Sequence, residues 1–320
     1  MSAQASSTVV TFKLVEKYLY QIGCPILIII GIFGSVTNLL VFTQKNLRKS
    51  PCSIYFIANN LANFCYICSS LLPLTLGLGY KVDVTTSYLG LCRLRLYAVT
   101  LFNCLSAFYL VLASIDRVLI TSRNATTRQK STCRCACVCI LVGTIFWSLF
   151  HIHALILSTI SQIAPNTYLC YFQSGMHLIF MSYYSLCKEL GALFLLTFFG
   201  LWSIRNLRHA QRLTHVEHFS KTKSIGATGS RSKFTKERQM MYMLFMDISI
   251  YALFSITFAA FLMYQQITQN QVKGSEQVAI ESVVRNMCLF SAGIPFCLSC
   301  YTNLLVSKTF RSEGKKFFCI

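Results

Sequence analysis

The chain has 320 residues, of which 54% are hydrophobic and only 12% are charged. Roughly a quarter of the residues of a soluble domain are charged, so this composition excludes a soluble globular protein and indicates one that crosses a membrane several times. The net charge of +19 would suggest a nucleic-acid partner in a soluble chain, but here the basic residues lie between apolar runs, where a bilayer accounts for them better.

Seven apolar runs are each long enough to cross a bilayer as a helix, which takes about twenty residues. They predict an all-α fold, namely a seven-transmembrane helix bundle. We expect residues 1–21 to form an extracellular segment and residues 307–320 a cytoplasmic tail. The predicted spans are residues 22–42, 54–79, 92–120, 135–160, 177–202, 239–265 and 278–306.

The distribution of basic residues predicts the orientation of these spans. Most of the 29 lysines and arginines fall in the tail and in the loops that follow the first, third and fifth spans. The positive-inside rule places these segments in the cytosol and the N terminus outside, as expected for a multi-pass protein of the plasma membrane. The first residues lack the pattern of a cleavable signal peptide, so the first span is expected to be an uncleaved anchor.

Amide side chains interrupt the first two spans. The first span contains Asn38, and the second contains Asn59, Asn60 and Asn63. Amides are costly in hydrocarbon unless they are partnered, so we expect them to form hydrogen bonds between helices. Pro73 is expected to kink the outer end of the second span.

The third span begins at Cys92 and ends in an acid beside an arginine, Asp116-Arg117. If Cys92 faces the oxidising side and Arg117 the cytosol, a disulfide anchors one end and a switchable polar cluster lies at the other. Asn103 and Ser106 are three residues apart and share a face. This face is either a stripe that meets other helices or the wall of a pocket.

The spacing from Cys92 to Arg117, with Ile115-Asp116-Arg117-Val118 at its end, resembles the third helix of rhodopsin-like G-protein-coupled receptors. Val118 stands where most of that family has Tyr. Other residues resemble motifs of the family by position: Gly34 and Asn38, Leu61-Ala62-Asn63, Trp147 and Pro295. The resemblance implies a receptor that signals to a heterotrimeric G protein, with kinases and arrestins as further partners.

The resemblance also assigns roles to individual residues. It implies a disulfide between Cys92 and Cys170, if both are extracellular. Asn63 stands where the family has an aspartate that binds sodium, and an amide cannot supply that charge. We therefore expect a weakened or absent sodium site and a polar bond among Asn38, Asn63 and Ser291.

The fourth and fifth spans contain polar and reactive side chains. Four cysteines alternate along the start of the fourth span: Cys133, Cys135, Cys137 and Cys139. A helix spreads them over several faces, which disfavours a shared metal centre and leaves acylation at the membrane boundary or apolar filling. His151 and His153 diverge on a helix and are not expected to chelate a metal. Lys188-Glu189 either neutralise each other or neighbouring helices, or contact a ligand.

The loop over residues 205–238 is basic and contains many serines and threonines, which suits a solvated loop and a surface for phosphorylation and effector contact. Glu237 lies where family members often have an acid that pairs with the arginine of the third helix. A Glu237–Arg117 contact is therefore expected to hold the inactive state, although Glu237 also has basic neighbours. Asp247 lies deeper in the sixth span and needs a partner or a proton.

The seventh span begins with Glu281 and Arg285, which are four residues apart and can pair on one face. It retains Pro295 from the family's Asn-Pro-x-x-Tyr motif. The tail alternates basic residues with phenylalanines, a pattern suited to a short amphipathic eighth helix on the inner leaflet. Cys319 is a candidate for palmitoylation.

The sequence thus predicts a receptor that transmits an extracellular ligand to a G protein through Asp116, Arg117, Glu237 and Pro295. Mixed charges favour a peptide ligand, such as a neuropeptide. The expected pocket residues are Arg95, Val99, Asn103, Tyr184, Lys188, Glu281 and Arg285. A chemosensory receptor of the same fold and a small multispan transporter are the alternatives. An enzyme, a metal site or a cofactor is not expected, because no convergent catalytic set is present.

Overall fold

The computed structural model describes the backbone of residues 2–318 except residues 46, 49, 123, 165–166, 174, 221–227, 269–270 and 272. Side chains are described for the same residues apart from 2–8, 163–164, 167, 169, 209–220, 228–237, 275 and 317–318.

Within the described part of the chain, seven helices are long and apolar enough to cross a membrane, and a short amphipathic helix follows them. The predicted fold class is therefore confirmed: the chain is an all-α seven-helix bundle of a multi-pass membrane protein. The helices are α1 (Ser2–Tyr18, a π-helical turn Leu19–Gly23, and Cys24–Phe42), α2 (Pro51–Tyr66, Ile67–Leu71, Leu72–Leu74 and Thr75–Gly79), α3 (Leu89–Thr121), α4 (Cys133–Phe150 and Ile152–Ile156), α5 (Met176–Ser220), α6 (Thr228–Thr268), α7 (Ser275–Val306) and α8 (Lys308–Phe318).

The helices pack as a ring around α3. Helix α3 contacts α2, α4, α5 and α6, while α1 packs against α2 and α7, and α6 lies between α5 and α7. Successive helices run in opposite directions, so the start of α3 and the end of α4 lie at one end of the bundle. We call this the disulfide end and the opposite one the Arg117 end.

Helix α8 is held against the Arg117 end by a buried phenylalanine and by hydrogen bonds from an arginine. Phe310 is fully buried beside Phe42 of α1, which in turn stacks on Phe56 of α2 with ring centres 5.2 Å apart. Arg311 Nη1 donates to the carbonyls of Leu304 and Leu305 at 2.9 and 2.8 Å. These bonds satisfy carbonyls that the end of α7 would otherwise leave without a partner.

A β-hairpin that the sequence did not predict connects α4 to α5. Strand β1 (Ser158–Ala164) pairs antiparallel with β2 (Thr167–Phe172). The predicted fourth span, residues 135–160, is therefore too long, because the helix ends at Ile156. Ser158 Oγ donates back to the carbonyl of Ala154 at 2.5 Å and satisfies one of the last helical carbonyls.

The N-terminal segment predicted over residues 1–21 is continuous with the first span. Helix α1 begins at Ser2, and its apolar part is Val9–Phe42. Contacts with α7 hold this extension in place. The side-chain amide of Asn286 donates to Glu16 Oε1 at 2.5 Å, and the backbone carbonyl of Asn286 accepts from the Tyr20 hydroxyl at 2.7 Å.

Candidate functional site

The disulfide end is organised by the bond between Cys92 and Cys170, whose Cα atoms are 5.6 Å apart. This is the pair that the sequence resemblance implied. Arg93 Nε adds a hydrogen bond of 3.2 Å to the carbonyl of Ser158 at the start of β1. The hairpin is thus attached to the first turn of α3 through both of its strands.

Two arginines of the expected pocket lie close to the hairpin. Arg95 Nη1 donates to Thr85 Oγ1 at 3.2 Å, and the short helix that contains Thr85 contacts β2. The Arg285 guanidinium of α7 lies 5.8 Å from the ring centre of Tyr171 on β2. A cation at this distance from a tyrosine ring is attracted by the ring electrons. The Arg285 guanidinium therefore lies beside β2, whereas Arg95 bonds to the short helix Val84–Thr86, which packs against β2.

The predicted Glu281–Arg285 pair is not formed. Glu281 instead pairs with Lys273, with Nζ and Oε2 2.6 Å apart, and accepts from the Tyr264 hydroxyl at 2.8 Å. Lys273 lies in the connection between α6 and α7, so it reaches Glu281 from the end of the bundle. This arrangement leaves the Arg285 guanidinium beside Tyr171.

An ion pair lies deeper in the bundle, at the level of Asn103. Lys188 Nζ lies 2.5 Å from Glu189 Oε1 and donates to Asn103 Oδ1 on α3 at 2.9 Å. The Tyr251 hydroxyl of α6 donates to Glu189 Oε2 at 2.8 Å. The two charges neutralise each other, as one of the two sequence interpretations proposed, and they also link α5 to α3 and α6.

The other two pocket residues have different surroundings. Val99 packs with the apolar cluster formed by α1, α2 and α7. The Tyr184 hydroxyl lies 2.9 Å from His151 Nε2, while His151 Nδ1 lies 2.8 Å from the Trp147 carbonyl. A carbonyl can only accept, so Nδ1 carries a proton and the neutral ring accepts from Tyr184. The bond between Tyr184 and His151 joins α5 to α4.

The predicted bond among Asn38, Asn63 and Ser291 is wrong. Asn38 bonds to Asn60 of α2 at 2.6 Å and accepts from Asn303 of α7 at 3.3 Å. Ser291 lies beside Thr257 of α6, with hydroxyl oxygens 3.3 Å apart. The first two helices are joined to α7 nearer the Arg117 end than the sequence predicted.

Asn63 belongs to a second polar cluster, with Asn59 and Ser106. Ser106 Oγ donates to Asn63 Oδ1 at 2.6 Å, and Asn59 Nδ2 donates to the Ser106 carbonyl at 3.0 Å. Asn60 and Asn63 lie about 60° apart around the helix axis, so they are directed to different neighbours. This difference explains why Asn60, rather than Asn63, meets Asn38.

A small interior cavity separates this second cluster from Asp247 of α6 and has room for a water-sized guest. Asp247 accepts from Thr302 Oγ1 at 3.0 Å and from Ser299 Oγ at 3.2 Å, so the buried carboxyl has partners on α7. Pro295 also lines the cavity. Proline removes one backbone hydrogen bond from a helix, which makes this part of α7 a natural bending point.

The Arg117 end contains the most deeply buried charged side chain of α3. Arg117 is 1% exposed and pairs with Asp116, with Nη2 and Oδ2 2.9 Å apart. Asp116 also accepts from the Ser131 hydroxyl. The predicted partner Glu237 and the predicted acylation site Cys319 lie outside the side chains that the structure describes. Asp116 thus pairs with the guanidinium and is itself bonded to Ser131.

A histidine contact near the disulfide end was missed by the sequence analysis. His153 Nδ1 of α4 lies 3.2 Å from His177 Nε2 at the start of α5. The sequence places His153 next to His151 but gives no sign of His177, which is brought close because the hairpin connects α4 to α5. Among the described residues, no three potential metal ligands gather at one point.

Comparison of the sequence with profiles of known protein families finds no match, and comparison with curated proteins finds none either.

Proposed function

We propose that the protein is a rhodopsin-like G-protein-coupled receptor of the plasma membrane, with its disulfide end outside the cell and its Arg117 end in the cytosol. An extracellular ligand, with a peptide favoured, binds among the outer helix halves and activates a heterotrimeric G protein. The observation that carries this proposal is the position of Arg117: a buried guanidinium at the end of the central helix, opposite the disulfide that fixes its other end.

The mechanism requires two packings of the same bundle. In the packing described here, buried Arg117 pairs with Asp116, and Asp116 accepts from Ser131. Ligand binding at the disulfide end favours a second packing only if the ligand binds that packing more tightly. The Lys188–Glu189 pair connects α3, α5 and α6, so a shift at its level changes how α6 packs against α3 and opens the Arg117 end to the G protein.

The charges at the disulfide end support a peptide ligand. Arg95 and Arg285 offer guanidinium groups beside the hairpin, and Glu281 offers a carboxylate paired with a lysine. A peptide carries both acidic and basic groups and can complement all three. Val99 stands where amine receptors have an aspartate, so a protonated monoamine would find no counter-ion at that position.

The proposal is tested in two steps. A library of short peptides is screened in cells with a promiscuous G protein, and nucleotide exchange is then measured in reconstituted membranes, both basal and with any active peptide. We expect Arg117→Ala to abolish most of the exchange. Lys17→Ala is the control, because it removes an exposed basic side chain from α1 at the disulfide end, away from the expected effector surface. Equal exchange by both variants would refute the mechanism.

Orientation has its own test. An epitope inserted within residues 221–227 should be reached by antibody only after the cells are permeabilised. Labelling on intact cells would place the Arg117 end outside and overturn the proposal. Solute flux into proteoliposomes by the wild-type chain would instead support the transporter alternative.

A further inference from the structure

The first two turns of α4 contain thiols that no role described so far uses. Helix α4 begins at Cys133, and Cys135 and Cys137 are both exposed. Over Cys133–Phe150 this helix buries only Ala136 and Gly143, so most of its surface faces outward. The two thiols therefore lie on the outer surface of the bundle, within about 6 Å along the helix from its start.

Their level in the membrane follows from the neighbouring residues. The chain just before α4 is polar, with Arg128 and Lys130, and Thr132 caps the helix by accepting from the Cys135 amide at 3.2 Å. Beyond Cys137 the outer face becomes continuously apolar. Its exposed side chains are Val138, Leu141, Val142, Ile145, Phe146 and Leu149. The two thiols thus lie where polar chain gives way to hydrocarbon.

We propose that Cys135 and Cys137 are S-acylated by long-chain fatty acids. The inference rests on the proposed orientation, which puts the start of α4 at the cytosolic surface, where anionic lipids also attract Arg128, Lys130 and Arg134. Juxtamembrane cysteines of this kind are typical acceptors of reversible acylation. The apolar outer face of α4 provides the surface along which the attached chains lie.

The reaction needs a fatty acyl-coenzyme A as donor. The cysteine sulfur attacks the acyl carbonyl carbon, a new sulfur–carbon bond forms, and the bond from that carbon to the coenzyme A sulfur breaks. The cysteine proton ends on the released coenzyme A thiol. One thioester replaces another, so no oxidant or reductant takes part.

Acylation at this point bears on the Arg117 end. Ser131 donates to Asp116 and lies four residues before Cys135. Fatty chains that hold the first turns of α4 at the membrane surface also restrict the segment that contains Ser131. The modification therefore favours the packing in which Asp116 holds Arg117.

The test counts thioesters on the full-length protein expressed in cells. Hydroxylamine cleaves the thioesters, and each freed thiol then receives a polyethylene glycol mass tag. All variants contain Cys319→Ser, so that the tail makes no contribution. We expect tagged bands in this background and their loss in Cys135→Ser/Cys137→Ser.

Cys187→Ser is the matched control, because Cys187 is also exposed but lies about 16 Å along α5 from Met176, deep in the apolar span. It should keep all the tags. If the double variant does not fold, each single variant should lose one tag.

Tags that survive in Cys135→Ser/Cys137→Ser, or tags absent from the background chain, would overturn the inference. If the epitope within residues 221–227 is found inside the cell, either of these results overturns the acylation proposal alone and leaves the receptor proposal standing. If that epitope is found outside, the acylation proposal and the receptor proposal fail together.

Discussion

Glu189 is a buried charged residue that links two helices of the bundle, α5 and α6. Its carboxylate accepts from Lys188 and from Tyr251, and its side chain is 4% exposed. A buried ion pair is not by itself strongly stabilising, because removing both ions from water costs about as much as their attraction returns. Loss of one partner is different, since it leaves an uncompensated charge in a nonpolar surrounding.

We expect Glu189→Gln to lower the free energy of unfolding by about 3 kcal/mol, because Lys188 keeps its charge without the carboxylate. Lys188→Met in the same chain should restore most of the loss. The measurement is denaturant unfolding of the purified protein in lipid nanodiscs.

Lys315→Met serves as the control for this prediction. Lys315 is an exposed lysine of α8, so the change should cost less than about 1 kcal/mol. A Glu189→Gln protein as stable as Lys315→Met would show that the buried pair contributes little to the fold.

The sequence shows which buried polar side chains need hydrogen-bond partners. It does not show which residues those partners are. Amides in hydrocarbon must be bonded, and Asn38 and Asn63 are. Which groups they bond depends on the rotation of each helix about its axis, and a change of one residue turns a side chain by about 100°. Periodicity alone does not fix that rotation. Glu281 meets Lys273 instead of Arg285 because the connection between α6 and α7 brings Lys273 to it, and helix periodicity does not predict the course of that connection.

The close contact between α1 and α2 near the disulfide end depends on one glycine. A Cβ atom on Gly79 would lie 2.7 Å from the Tyr20 carbonyl oxygen and 2.9 Å from its carbonyl carbon. These are backbone atoms, which cannot rotate away as a side chain can. Glycine lets the two helices approach at this point.

Gly79→Ala should therefore cost about 1–3 kcal/mol, as expected for an added carbon in a packed interior. Gly77→Ala is the matched control from the same π-helical turn, because its Cβ would meet Asp83 Oδ2 at an ordinary 3.6 Å. The measurement is the midpoint of thermal unfolding of the two variants in nanodiscs. Equal midpoints would mean that α1 and α2 can move apart at Gly79 without loss of stability.

Elements differ in how much of them the sequence predicts. Each long helix is predicted by a long, mostly apolar run, because a segment that crosses a bilayer must bond its own backbone groups within a helix. The hairpin over Ser158–Phe172 has no comparable signal. It pairs with itself and is tied to α3 by the disulfide and by Arg93, so its shape depends on contacts between distant parts of the chain.

At the scale of the molecule, the disulfide closes a segment that includes α3, α4 and the hairpin. Cys92 and Cys170 are 78 residues apart in sequence. A cross-link over so long a segment restricts the unfolded chain, and native bridges typically contribute about 2–5 kcal/mol.

Cys92→Ser/Cys170→Ser should reduce the free energy of unfolding by about that amount. It should also expose the hairpin to limited proteolysis, because the bond to α3 is lost. Cys187→Ser, which removes an exposed free thiol, should change neither property. A hairpin that resists protease equally in the double variant would show that its hydrogen bonds suffice to hold it.

The number and order of the helices could be predicted from apolar runs, because the length and apolar character of each span follow from the bilayer itself. The arrangement around α3 adds information that no single span contains. It places the Cys92–Cys170 bond and the Asp116–Arg117 pair at opposite ends of one continuous helix. The resemblance of Ile115-Asp116-Arg117-Val118 suggested that arrangement, whereas composition alone did not.

The length of α1 provides a way to measure movements of α7. The backbone from Ser2 to Tyr20 forms an arm of roughly 25 Å, fastened at its base to Asn286 through Glu16 and Tyr20. A tilt of α7 by a few degrees therefore moves the far end of this arm by a larger distance than it moves the base. A spectroscopic label on its tip would therefore report rearrangements of the seventh helix without disturbing any side chain inside the protein.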